Sequence, residues 1–321
     1  MNMFRRLALA SLAAVALVTG PAQAADTIRI GLPTKSYWPT TIAETAVRQR
    51  LFDKEGLRAE LTIYRSGAES FEAMAAGAVD MTLDPPSLVS NGRRKGVLSR
   101  IVAKASMGNY GWQLMVPAKS DLDLKALNGR RIGITAAGSS SDLLAQWTGQ
   151  DAKIEFARTP VGGNGLVSNL LGGKVDAAVV YSPLSLQLTK SGEARAVLDY
   201  AKAVPPNLTQ GWIVLDRFAD TRGKLVQKAL NALYGAVDFM RANRDVTVKL
   251  IAELYEVPPE IAALEYDTTI MKLETNGSMA GPQIRDAVQL SLDLARVGSP
   301  RDVVPAEDII SAKFEPVPTK L

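Results

Sequence analysis

Apolar positions along this chain switch repeatedly between an alternation of two and a helical spacing of about 3.6, and the switches fall at glycine, proline or serine. Thr27–Leu32 (TIRIGL) alternates and predicts a first strand, with Ser36-Tyr37-Trp38-Pro39 as the loop at its C-terminal end. From Thr40 to Phe52 the spacing of Ile42, Ala46, Val47 and Leu51 is helical, and Gly56 stands past the end as a C-cap. Leu57–Tyr64 predicts a second strand. Ser66-Gly67-Ala68-Glu69 then has the form of a capping box and opens a helix that ends at Gly77. Val79–Leu83 predicts a third strand, stopped by Asp84-Pro85-Pro86. Strands that alternate with helices in this way build α/β sheets.

The same grammar returns further on. In residues 129–144, GRRIGITAAGSSSDLL, a strand over Arg131–Thr135 meets the small turn Ala136-Ala137-Gly138. Ser139, Ser140 and Ser141 follow, and a helical run starts at Asp142, with Ser139 and Asp142 spaced as a capping box. Gly77-Ala78-Val79-Asp80 and Gly173-Lys174-Val175-Asp176 each precede a short apolar strand and then a proline. The chain therefore reads as two similar Rossmann-like α/β lobes rather than a repeat array. Two strand-like segments, Tyr110–Val116 and Leu208–Leu215, are the expected hinge strands between them. On that reading the first lobe is residues 25–116 plus 212–321, and the second is 117–211. Beyond Arg222 the chain is helical, with Leu225, Ala229, Leu233, Ala236 and Met240 on one core-facing stripe, and the long helix opened by Gly281-Pro282 stops at Gly298.

The first 24 residues stand apart. Arg5 and Arg6 precede an apolar run over Leu7–Val18 that is too short to span a membrane, and Ala22-Gln23-Ala24 forms an A-x-A cleavage site. Residues 1–24 are thus expected to be a cleaved secretory signal peptide. The chain contains no cysteine, so no acylated cysteine follows the cleavage site, and the mature protein is expected to be free in a periplasm. The 37 basic residues, less Arg5 and Arg6, nearly balance 33 acidic ones, which leaves no basic run of the kind nucleic acid requires.

The chain also contains no histidine. That removes Ser-His-Asp and Cys-His nucleophilic machinery and histidine-ligated metals. No G-x-G-x-x-G or Walker loop is present either. Of the catalytic chemistries, carboxylate- or lysine-based work is what composition leaves open, and no cofactor or metal is expected.

In open α/β sheets ligands collect beyond the strand ends, where helix N-termini present free N–H groups and partial positive charge. Two such ends, at Ser66-Gly67 and at Ser139-Ser140-Ser141, should face one cleft between the lobes and suit an anionic group. The alternative is that each serine turn only caps its own helix. Aromatic residues gather at predicted strand ends: Tyr37, Trp38, Tyr64, Tyr110, Trp112, Tyr181 and Trp212. Of these Trp38, Tyr110, Tyr181 and Trp212 are candidate cleft walls. Asp84 either accepts a hydrogen bond from a ligand hydroxyl or amine or caps the next turn. Asn164, after Gly162-Gly163, either donates into the cleft or makes a turn. Asp80 and Asp176 recur at strand starts, away from the expected cleft, and read as structural.

The order of IGLP…LFDKEGLRAEL, SGAESFEAMAAGAVD, DLKALNGRRIGITAAGSSSDLL, GGKVDAAVVYSP and NGSMAGPQIRDAVQLSLDLARVG resembles the nitrate/sulfonate/taurine and thiamine-pyrimidine group of ABC-transporter solute-binding proteins. The resemblance covers essentially the whole mature chain. It departs from the group at Gln49-Arg50, where a glycine-containing turn is usual, and after the serine turn, where a histidine is common. It implies the type II periplasmic binding protein architecture, with a small, anionic organic solute (a sulfonate, a carboxylate or a pyrimidine) held between closing lobes. The implied partners are that solute and a permease with its ATPase in the inner membrane, with the binding protein a monomer. A ligand-loaded adaptor for a membrane sensor and an enzyme on the same fold are the alternatives.

Overall fold

The computed structural model describes residues 25–295 and 304–320. The expected signal peptide and the helix end at Gly298 lie outside them. Ten strands form two five-stranded sheets. In chain order they are β1 (Asp26–Leu32), β2 (Leu57–Ile63), β3 (Met81–Asp84), β4 (Ser99–Ser106), β5 (Gln113–Pro117), β6 (Arg131–Ile134), β7 (Ala157–Pro160), β8 (Ala177–Val180), β9 (Ala194–Asp199) and β10 (Gln210–Leu215). The first sheet runs β2-β1-β3-β10-β4 and the second β7-β6-β8-β5-β9.

The two sheets share one plan. In each, three strands are parallel and joined by helices, and the fourth strand in spatial order runs antiparallel to the third. That fourth strand is β10 in the first sheet, which it joins after the chain returns from the second, and β5 in the second, the first strand after the chain enters it. The first crossing lies earlier than its expected place at 116/117. β5 pairs with β8 and β9, so Gln113–Val116 belongs to the second sheet and the chain crosses over residues 107–112. The return crossing runs over 200–209, and β10 then joins β3 and β4. The apolar run Leu114-Met115-Val116 identifies a strand but not its partners, because register and pairing depend on the rest of the sheet.

The repeated Gly-x-Val-Asp carries a repeated clasp. Asp80 accepts from the backbone N–H of Arg29 at 2.9 Å and pairs with its guanidinium at 2.5 Å. Asp176 does the same for Arg131 at 2.9 and 3.1 Å. Both aspartates tie the second strand in spatial order, β1 or β6, to the start of the central one, β3 or β8, far from the cleft side.

Near the N-terminus the predicted single helix is two, Trp38–Arg48 and Leu51–Lys54. Arg50 between them has φ +56°, the left-handed conformation that glycine adopts most readily. A residue with a β-carbon thus fills a position where this kind of turn favours glycine. The helix Gly223–Ala242 buries Leu225, Ala229, Leu233, Ala236 and Met240 as the periodicity predicts. Among the described residues no helix is long and apolar enough to cross a membrane.

Candidate functional site

Residues just past the C-terminal ends of β1, β3, β6 and β8 line one space of about 300 Å³, its open mouth included. The first sheet contributes Pro33, Thr34, Tyr37, Gly67, Leu83, Asp84 and Gln210. The second sheet and the crossing contribute Trp112, Thr135, Ser139, Ser140 and Tyr181. The strand ends of both sheets thus converge on a single cleft.

Asp84 is the one carboxyl group lining it among the described residues, with no Lys or Arg beside it, and it is buried. It ends β3 and faces the start of the helix Gly67–Ala75, where glycine leaves room for the carboxyl oxygen. Thr82 donates to Asp84 at 3.2 Å, and Ser70 at 3.4 Å. Burial pushes the Asp84 acid well above the usual carboxylate range, against the downward pull of those two hydroxyls. The Ser66 hydroxyl caps the same helix by accepting from Glu69 N–H at 3.1 Å. Glu69 reaches back one residue further than the capping-box pattern implies, to Arg65 N–H at 2.8 Å.

The three serines on the opposite wall divide their work. Ser141 is buried and accepts from Thr135 N–H at 2.8 Å. Ser139 holds the N-cap backbone position, but its hydroxyl donates to Ala136 C=O at 2.7 Å and accepts from Thr135 Oγ1 at 2.7 Å. The cap expected from Ser139 is therefore absent, and Asp142 closes the turn instead by accepting from Gly138 N–H at 2.8 Å. Ser140 alone turns its hydroxyl away from this knot. It accepts from Gln210 Nε2 at 2.7 Å, which joins the second sheet's helix Ser140–Ala152 to β10 of the first.

The wall is aromatic. Tyr37 lies 5.1 Å from Tyr181 and 5.6 Å from Trp112, ring centre to ring centre, and Trp112 Nε1 donates to the Tyr37 hydroxyl at 3.2 Å. Burial pushes the Tyr181 hydroxyl up to about 12 and raises Tyr37 as well, so both remain neutral donors. Gly163 N–H donates to Arg65 C=O at 2.9 Å, a further bond between the two halves.

Of the residues singled out from sequence, Gly67, Asp84, Ser139, Ser140 and Tyr181 line the cleft. Trp38, Ser66, Ser141 and Trp212 are buried beside or behind it and do not line it. Tyr110 lies partly exposed at the crossing, and Asn164 points to solvent while Gly163 makes the inter-sheet contact. Of the aromatics gathered at strand ends, Tyr37 and Trp112 line the cleft where Trp38 and Tyr110 do not. Thr34, Thr135 and Gln210 went unnoticed. A lone polar residue next to a predicted strand end was the only signal each carried.

Residues 43–251 match a protein-family model described as the phosphonate periplasmic substrate-binding protein of ABC transporters. The chain belongs to this family. A binding protein of Brucella abortus (strain 2308) is 24% identical over 278 residues, 79% of this chain and 82% of the relative. Among solved structures, an alkanesulfonate-binding protein of Xanthomonas axonopodis pv. citri, bound to MOPS, superposes with a TM-score of 0.78 at 20% identity, over 90% of this chain and 99% of that one. The nitrate-binding protein of Synechocystis PCC 6803 gives 0.73 at 14% identity, over 90% and 86%. These binding proteins share the two-sheet α/β fold. This ABC-transporter binding protein therefore has the periplasmic binding protein fold and the family's solute-binding role, and its family is one of solute-binding proteins, not enzymes.

Proposed function

We propose that this binding protein is exported, cleaved after Ala24, and captures a small organic anion between its two sheets for delivery to a membrane permease and its ATPase. The observation that carries this reading is the pairing of the Ser140 helix start with the buried Asp84, whose acid form burial favours, across one cleft. The first-turn N–H groups of a 13-residue helix have no intrahelical acceptors and favour an anion. Ser140 adds a hydroxyl that exchanges its Gln210 partner for the ligand. No Lys or Arg lines the cleft among the described residues, so the anion is met by neutral donors. Asp84 in its acid form is one of them and donates a hydrogen bond where its carboxylate would repel. Tyr37, Trp112 and Tyr181 exclude water, which strengthens charge-assisted bonds.

Calorimetry on the purified mature protein tests this with methanesulfonate, methylphosphonate, acetate and methylammonium. Binding of one or more anions, weakening as rising pH takes the proton from Asp84, is the expected result. Binding of methylammonium alone would overturn it, because Asp84 would then be an ionised acceptor for a cation.

A further inference from the structure

Asp142 stands in the first turn of the helix Ser140–Ala152 and is buried. One of its carboxyl oxygens accepts from Gly138 N–H at 2.8 Å and from Gln146 Nε2 at 2.9 Å. The other accepts from the guanidinium of Arg158, which reaches in from β7 at the edge of the second sheet. Neither Asp142 nor Arg158 lines the cleft, but Gly138 runs directly into Ser139 and Ser140, which do.

The carboxylate has two opposed effects on that helix start. By holding Gly138 N–H it fixes the left-handed turn, φ +79° at Gly138, that leads the following N–H groups to the cleft. Its charge, however, is of the kind that a helix start favours, so it competes with a second anion there. Burial makes the competition strong, because two anions one helical turn apart are poorly screened away from water. Arg158 separates the two effects. Its charge cancels that of Asp142 from outside the cleft and leaves the bond to Gly138 intact.

The matching helix start of the first sheet has the same parts. Glu69, in the first turn of the helix Gly67–Ala75, accepts from Arg65 N–H at 2.8 Å and pairs with the Arg65 guanidinium at 3.0 Å. There the arginine is 82% exposed and water screens the pair. The Asp142 side chain is 3% exposed, so Arg158 rather than water must answer its charge.

We propose that Arg158 is a positioning residue for solute capture: by neutralising Asp142 it lets the start of the helix Ser140–Ala152 accept the solute's anionic group. The inference rests on the proposed function above and adds to it a residue outside the cleft that sets the cleft's electrostatics.

The test is titration calorimetry of the mature protein with methanesulfonate, methylphosphonate and acetate, on wild type, Arg158→Met, Arg158→Lys, Asp142→Asn and the Arg158→Met/Asp142→Asn double variant. For each anion that wild type binds, Arg158→Met should weaken binding roughly tenfold or more. Arg158→Lys keeps the charge and should stay within a few fold of wild type. The double variant should recover most of the loss, although it lacks the ion pair as fully as Arg158→Met does. An arginine that only staples β7 to the helix would give a double variant as weak as Arg158→Met, and that result would overturn the proposal. Asp142→Asn still accepts from Gly138 N–H, leaves no buried carboxylate unpaired and is expected to fold even if Arg158→Met does not. It should bind the anions more tightly than wild type, and weaker binding would overturn the proposal as well. Undiminished binding by Arg158→Met would overturn this inference and leave the anion reading of the cleft standing. Failure of wild type to bind any of the three anions would overturn both.

Discussion

A β-carbon on Gly67 would overlap Asp84 Oδ1. Glycine at the first position of the helix Gly67–Ala75 is therefore what allows a carboxyl group to lie against that helix start and still face the cleft.

Gly67→Ala should displace Asp84, lower stability by about 1–3 kcal/mol through the clash, and weaken ligand binding. Adding Asp84→Ala removes the clashing oxygen. Thermal denaturation of Gly67→Ala, Asp84→Ala and the double variant should show the double variant less destabilised than the sum of the two. Strict additivity would mean that the glycine does not act through Asp84.

Ser140→Ala and Ser141→Ala should separate cleanly. Ser141 gives Thr135 N–H its acceptor inside the lobe, so its loss should cost about 1–3 kcal/mol of stability. Ser140 makes its bond across the cleft, so its loss should leave the unliganded melting temperature nearly unchanged. It should weaken anion binding by roughly ten- to a hundredfold. Differential scanning calorimetry and titration calorimetry read the two effects. The same ranking from both variants would contradict the assignment.

The sequence made the two-lobe plan legible because glycine, proline and capping residues mark the element ends, and because Gly-x-Val-Asp repeats with the same Arg–Asp clasp in both halves. Where the chain crosses between sheets was less legible, since an apolar pentapeptide such as Gln113–Pro117 fits either sheet. The serine turn was visible as a site, but not the roles of its members. Which hydroxyl folds inward depends on the position of Thr135 and on Asp142 reaching Gly138, and no local pattern encodes those. Gln210 became a candidate only when β10 was seen to cross to the Ser140 helix.

Gly163 should resist enlargement. A β-carbon there would press on Thr34 Cγ2 at 2.6 Å and on the Tyr181 hydroxyl at 2.8 Å, across the contact where Gly163 N–H reaches Arg65 C=O. Gly163→Val should hold the two halves apart and weaken ligand binding at least tenfold, while each lobe keeps its own core. Small-angle scattering with and without ligand should show a smaller ligand-induced compaction than in wild type. Equal compaction would show that closure does not need this contact.

Glu265 should make stability fall as pH rises. It lies fully buried on the helix Pro259–Thr268, beside Ser182 of the second half, and among the described residues neither carboxyl oxygen has a hydrogen-bond partner. Burial pushes the Glu265 acid up to about 7, while the nearby hydroxyls of Ser182 and Thr269, bonded to each other at 2.9 Å, pull it back down. The groups facing it, Tyr37 and Tyr255, are raised hydroxyls that stay neutral and offer no counter-charge. In the unfolded chain a glutamate titrates near about 4.3, so the folded state binds its proton more tightly. The stabilisation is full below about 4.3, is lost as pH rises to about 7, and is flat beyond; it amounts to roughly 4 kcal/mol. Asp176 and Asp216, held below the usual range, act in the opposite sense at lower pH, so the informative quantity is a difference between proteins. Glu265→Gln keeps the shape and cannot ionise. Urea denaturation from pH 4 to pH 8 should show wild type losing stability relative to Glu265→Gln across that window, and a difference that does not change with pH would rule out a buried titrating Glu265.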